Sequence, residues 1–161
     1  MVSRVPEPVT LADERVLVTG ASGFVGQHLV RGLAEAGTRV YAAVFPGELP
    51  ERVEALPASA ERLTFDIRDA SSVQAAITEA KPQVVFHLAA VGVTNSSELD
   101  PRLALEVNVG GVLHLLEALR ARDLRRIVLV GTCYEYGARE AVEGLDPFNT
   151  VSYTHLRAHE T

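Results

Sequence analysis

The stretch Thr19–Gly26, TGASGFVG, constrains this chain more than any other. It ends a short β-branched run, Arg15–Gly20 (RVLVTG), that reads as a buried strand. It opens a segment of helical periodicity, with Leu29, Val30, Leu33 and Ala34 at helical spacing and Gly37 as a stop. Between strand and helix, Gly20, Gly23 and Gly26 recur at every third position. Gly20 can turn the chain sharply off the strand, because it carries no Cβ. Gly23 lets the backbone approach a pyrophosphate, and Gly26 lets the helix pack close to the sheet. The free N–H groups at the helix start, near Phe24 and Val25, suit an anion. A glycine triplet alone is as readily a flexible loop; at a strand–helix junction it predicts a dinucleotide site.

The rest of the chain alternates in the same way. Arg39–Val44 (RVYAAV), Arg62–Ile67 (RLTFDI), Gln83–Ala90 (QVVFHLAA) and Arg125–Gly131 (RRIVLVG) read as further strands. Ser71–Ala80 reads as a helix closed by Lys81-Pro82. Pro101–Asp123 reads as a long helix, with Pro101 in its first turn behind Asp100. Strands alternating with helices imply right-handed crossovers and a parallel sheet covered on both faces. No internal repeat and no low-complexity segment interrupts the pattern.

Composition narrows the function classes. A length of 161 residues suits one domain, and 47% apolar residues suffice for a core. A net charge of -6 argues against nucleic acid as a partner, since neutralising phosphates needs a basic surface. Cys133 is the single cysteine, so no internal disulfide forms and nothing points to secretion. No apolar run approaches the roughly 20 residues of a membrane span, and MVSRVPEPVT lacks the apolar core of a signal peptide. A cytoplasmic enzyme with no membrane partner is the expectation.

Five ordered motifs between Arg15 and Pro147 resemble the extended short-chain dehydrogenase/reductases, the group that includes the NAD-dependent epimerases and dehydratases of nucleotide sugars. The first is the glycine loop. The second, FDIRD, resembles the acidic motif after strand three; the resemblance implies that Asp66 bonds the adenine amino group and Ile67 lies beside the ring. The third, FHLAA, implies that Leu88, Ala89 and Ala90 line the cofactor. The fourth, NVGGV, places Asn108 in a structural or cofactor-side role, with Val112 where the family carries Thr. The fifth, GTCYEYG, puts Thr132 where the family has its catalytic Ser or Thr. The implied fold is a Rossmann-type doubly wound parallel sheet, truncated to about five strands in the order 3-2-1-4-5, with the C-terminal substrate domain missing.

The same resemblance implies the chemistry. A nicotinamide cofactor exchanges hydride with a carbon of a nucleotide-sugar substrate. A Tyr whose phenol pKa is lowered by a Lys ammonium moves the proton, and Thr132 holds the reacting oxygen in line. Dehydratases of this type carry Asp and Glu directly after the catalytic Thr; here Cys133 and Tyr134 follow it, which disfavours that branch. A carbonyl or aldehyde reductase of the same fold and a non-catalytic NAD(P)-sensing module are the alternatives. The cofactor is NAD or NADP. The expected acid at the end of strand two is replaced by Phe45-Pro46, leaving Glu48 to reach a hydroxyl or Arg52 a 2′-phosphate. His87 reads as a satisfied core histidine, and His114 with Leu113, Leu115, Leu116 and Leu119 as packing. Cys133 reads as a small filler, because no basic partner is placed to activate it. No metal site is expected, and the parent protein is expected to be capable of forming a homodimer.

The last eleven residues, VSYTHLRAHET, contain Tyr153 and Arg157 at the spacing of the catalytic Tyr-x-x-x-Lys. Arg is a poor substitute for Lys there, since a planar guanidinium is not a compact point charge. The segment also resembles, residue for residue, the translation of a transposase-end sequencing adapter. It is therefore set apart as a fusion scar, and with it the metal-like pair His155 and His159. The resulting expectation is an N-terminal extension over residues 1–14, an incomplete NAD(P)-binding domain over 15–150 and a non-native tail over 151–161. The natural reading frame is expected to break off near Asn149, before the true Tyr-x-x-x-Lys.

Overall fold

The computed structural model describes residues 11–91 and 100–131. Its elements all lie in the first of two units of the chain, Met1–Leu129; the second, Val130–Thr161, lies almost wholly outside the described residues. The strands are β1 (Arg15–Thr19), β2 (Arg39–Val44), β3 (Glu61–Thr64), β4 (Val84–His87) and β5 (Arg126–Leu129). They form one parallel sheet in the order β3-β2-β1-β4-β5, as expected. The helices are α1 (Phe24–Glu35), α2 (Pro50–Glu54), α3 (Ala70–Ala80), α4 (Pro101–Leu105) and α5 (Gly111–Leu119), with a π-helical turn, Glu106–Gly110, joining the last two.

The central strand explains why both faces are covered. β1 is paired on each side and apolar over Val16, Leu17 and Val18, so its alternating side chains feed two cores. Leu17 packs with Val73, Ile77 and Leu115 beneath α3 and α5. Val16 and Val18 pack with Val30 and Leu33 of α1 on the opposite face. Fully burying aliphatic side chains of this size stabilises the fold by about 1.5–3 kcal/mol each.

β3 and β4 stop earlier than their apolar runs suggest, because a strand is only as long as its neighbour. β2 ends at Val44, opposite Thr64, so Phe65 donates one last bond to the Val44 carbonyl (3.2 Å) and the chain leaves the sheet. Phe65 and Ile67 remain buried all the same, as loop residues filling the core. β4 ends at His87 because its partner β1 ends at Thr19. α2 escaped the sequence pattern: five residues carry no periodic run, and Pro50 in the first turn is its only signal.

Asp100 caps α4, accepting from the Arg102 amide at 2.9 Å, as the Asp-Pro pair foretold. The long helix is not uniform, since the π turn inserts an extra residue into it. The leucines beyond do not all pack. Leu115 and Leu119, one turn apart, are buried, whereas Leu113 and Leu116 are 55% and 40% exposed. Four leucines span more than one helical face can bury. No helix among the described residues is long and apolar enough to cross a membrane.

Candidate functional site

The winding of the sheet reverses between β1 and β4, and the carboxyl ends of these two strands open a crevice. Thr19 and His87, the last residues of each strand, stand opposite one another. Their side chains are buried and joined, Oγ1 to Nδ1, at 2.7 Å; the same hydroxyl oxygen accepts from the Ala89 amide at 3.3 Å. Burial pushes the His87 imidazole below its ordinary value of 6.5. His87 is thus a satisfied core histidine that ties the two strand ends together under the crevice.

The glycine loop sits on this joint. Gly20 has φ +68°, and a Cβ on it would stand 2.7 Å from the Ala89 nitrogen and 2.8 Å from the Leu88 carbonyl carbon. Only glycine fits a left-handed turn pressed against the end of β4. Gly23 closes a tight turn, its amide donating to the Gly20 carbonyl at 3.1 Å. Gly26 is needed for a closer contact than the sequence implied. A Cβ there would meet the Gly20 carbonyl oxygen at 2.2 Å, so α1 packs against the loop itself.

The start of α1 carries unopposed donors. Gln27 is the first residue whose amide bonds back, to the Gly23 carbonyl at 2.9 Å, so the amides of Phe24, Val25 and Gly26 have no acceptor within the helix. Gly23 offers no side-chain cap, and no acid lies in the first turn. The side chains of Phe24 and Val25 point away into solvent, so any contribution they make comes from the backbone.

The loop borders a cleft of about 450 Å³ that gathers most of the residues singled out from the sequence. Gly20, Gly23, Asp66, Ile67, Leu88, Ala89 and Ala90 all line it, together with Ser22, Phe45, Glu48 and Arg52. Asp66 faces it from the loop after β3. Arg68 holds this carboxylate below the usual range, its guanidinium donating to Oδ2 at 2.6 Å and its amide to Oδ1 at 2.9 Å. Arg68 Nε lies 3.0 Å from both oxygens. An adenine amino group would therefore have to displace one of these bonds.

Among the described residues, four assignments do not line the cleft: Phe24, Val25 and Gly26 at the helix start, and Asn108. The Asn108 amide is engaged with the backbone of Val91, accepting from N–H at 2.8 Å and donating to C=O at 3.0 Å. It fastens the chain leaving β4 to the π turn. Thr132 lies outside the described residues, as do Cys133 and the tail Val151–Thr161. Three contributors had little or no sequence signal: Thr19, whose role depends on β4 beside it, Gly111 and Ser22. A Cβ on Gly111 would stand 2.7 Å from Ile67 Cγ1, and His114 Nδ1 lies 3.0 Å from the Ile67 carbonyl, so the long helix presses Ile67 toward the cleft. Among the described residues no cluster of His, Cys, Asp or Glu could hold a metal ion.

These features fit a dinucleotide. A backbone cradle that a Cβ would fill, free amides at a helix start and an acid across an apolar cleft match a pyrophosphate flanked by two nucleosides. Fold and cleft together define a doubly wound nucleotide-binding domain.

The model of the NAD dependent epimerase/dehydratase family matches residues 16–158, and the chain belongs to that family. The matched stretch runs past Thr150, so it takes in Tyr153 and Arg157. A UDP-glucose 4-epimerase of Rhizobium leguminosarum bv. trifolii is 35% identical over 133 residues, covering 82% of this chain and 39% of the relative. A CDP-glucose 4,6-dehydratase of Salmonella typhimurium is 33% identical, over 84% of this chain and 42% of that protein. The solved UDP-glucose 4-epimerase of Thermus thermophilus in complex with NAD superposes with a TM-score of 0.72 at 31% identity, over 90% of this chain and 48% of that structure. The chain spans well under half the length of the curated relatives it matches.

Proposed function

We propose that the cleft binds NAD or NADP and that the protein from which this chain derives is a nucleotide-sugar epimerase or dehydratase, with the epimerase branch favoured. The carrying observation is the Gly20–Gly26 contact at the β1–β4 switch point, a backbone cradle that admits no side chain. The Phe24 and Val25 amides would receive the pyrophosphate. Asp66 would accept from the adenine amino group while Ile67 lies against the ring. Leu88, Ala89 and Ala90 would form the wall toward the reacting end, with Asn108 holding that wall through Val91. When bound, the cofactor supplies hydride exchange at a sugar carbon. Thr132 would hydrogen-bond the reacting oxygen, and a Tyr/Lys pair beyond this chain would move its proton.

The domain limits belong to the same reading: an extension to residue 14, the nucleotide-binding part over 15–150 and a foreign tail over 151–161. A homodimer of the parent is supported by Leu105, Val109, Leu113 and Leu116, exposed apolar residues at helical spacing along α4, the π turn and α5; a cytoplasmic location is part of the same reading.

Two measurements test the proposal. Calorimetric titration of the 161-residue chain with NAD⁺ and NADP⁺ is expected to show saturable binding of at least one; none with either would refute the cofactor site. The parent gene, read from genomic DNA through codon 149 and expressed whole, is expected to encode Tyr-x-x-x-Lys and to turn over a nucleotide sugar. A parent without that pair, or one acting only on simple carbonyls, would refute the assigned activity.

A further inference from the structure

The end of β2 lacks an acid, yet the cleft does not. Beyond Val44 the chain folds back through Phe45-Pro46-Gly47, with the Glu48 amide donating to the Phe45 carbonyl at 3.0 Å. The Phe45 ring lies over Gly47, where a Cβ would stand 2.7 Å from it. This turn delivers the Glu48 carboxylate onto the glycine loop, between Gly20 and Gly23. Its Oε2 accepts the Ser22 hydroxyl at 2.5 Å, and its Oε1 accepts the Leu49 amide at 3.0 Å and Arg52 Nη1 at 3.5 Å. The side chain is largely buried and lines the cleft beside Ser22 and Gly23.

We propose that Glu48 reads the ribose next to the adenine and selects NAD over NADP, taking the place of the acid missing from the end of β2. The inference rests on the dinucleotide reading of the cleft. A vicinal diol presents two O–H donors, and an ionised carboxylate is an acceptor only, with Oε2 keeping a free acceptor position beside Ser22. The Ser22 and Leu49 bonds fix the carboxylate before any ligand arrives, so little ordering is needed on binding. A 2′-phosphate would bring up to two negative charges against it. Arg52 meets Glu48 by one contact of 3.5 Å and is half-exposed, so it is the cation that would have to offset this repulsion, and titration with both cofactors decides between the two residues.

Calorimetric titration of the full chain with NAD⁺ and NADP⁺, for the wild type and for Glu48→Gln, tests the assignment. The wild type is expected to bind NAD⁺ at least about tenfold more tightly than NADP⁺, the scale of one charge-assisted hydrogen bond. Glu48→Gln keeps the shape of the side chain and removes the charge. It is expected to weaken NAD⁺ about tenfold and to strengthen NADP⁺, with the melting temperature monitored in parallel. Equal or tighter NADP⁺ binding by the wild type would overturn the assignment in favour of Arg52. A parallel loss of both ligands in Glu48→Gln would also overturn it, making Glu48 a mere prop for the loop. If the wild type binds neither, the dinucleotide reading fails first and this inference falls with it.

Discussion

Gly26 packs beneath Gly20 so closely that a Cβ on it would stand 2.2 Å from the Gly20 carbonyl oxygen and 2.8 Å from the backbone of Ala21. The obstructing atoms are main chain, so no rotamer change can relieve the clash. Gly26→Ala is expected to cost about 1–3 kcal/mol of stability, the usual penalty of overpacking, and to abolish measurable dinucleotide binding. Gly32 lies in the same helix with nothing within 4 Å of its added Cβ. Gly32→Ala is expected to raise stability by about 0.5–1 kcal/mol through helix propensity. Thermal melts and cofactor titration of both variants would check the contrast; equal effects would contradict it.

Arg68 occupies the Asp66 carboxylate oxygens that an adenine amino group would need, so the two donors compete. Asp66→Ala is expected to weaken NAD(P) and AMP alike by about tenfold, since both carry the adenine that Asp66 would contact. Arg68→Ala frees the carboxylate and is expected to leave binding unchanged or tighter. Weaker AMP binding in Arg68→Ala would move adenine recognition from Asp66 to Arg68.

His87 gives the fold a pH dependence of definite sign. Its pKa is depressed in the folded state, so below 6.5 the unfolded chain takes up a proton that the native protein refuses. Its contribution is complete above that value and is lost as the pH falls from there toward the lower folded value. Melting temperatures followed from about pH 7.5 down to about pH 5 should fall more steeply for the wild type than for His87→Gln, which keeps a polar group near Thr19 and cannot titrate. Identical slopes would show that His87 does not set this response.

Asn108 holds Val91 by two hydrogen bonds at 2.8 and 3.0 Å. The residue is exposed, so water can take over part of what is lost. Asn108→Ala is expected to cost on the order of 1 kcal/mol and to speed hydrogen exchange at the Val91 amide. Unchanged protection at Val91 would remove Asn108 from its assigned role.

Removing Val151–Thr161 is expected to leave melting temperature and cofactor affinity within experimental error, as a foreign tail would. A loss of either would return Tyr153 and Arg157 to consideration as native residues.

Local order in the chain was enough to reveal much of this molecule. The strand–glycine–helix junction at Thr19–Gly26, the Asp100-Pro101 helix start and the apolar runs of β1, β2 and β4 are encoded by neighbours within a few residues, and propensity and periodicity report them directly. Seven residues line one cleft: Gly20 and Gly23 come from the local pattern, and Asp66, Ile67, Leu88, Ala89 and Ala90 from the family resemblance of their motifs. Strand ends were less legible, because the end of β3 depends on where β2 stops and that of β4 on where β1 stops.

What the sequence by itself determined is the kind of fold and the backbone cradle, both written in short-range patterns. Only the tertiary structure decided what each polar side chain does. Asn108 grips Val91 instead of facing the cleft, Thr19 binds His87 across 68 residues, and Glu48 crosses from the β2 turn to Ser22 of the glycine loop. Such contacts join residues that no local rule relates, since a side chain's partner is set by which strand lies beside its own.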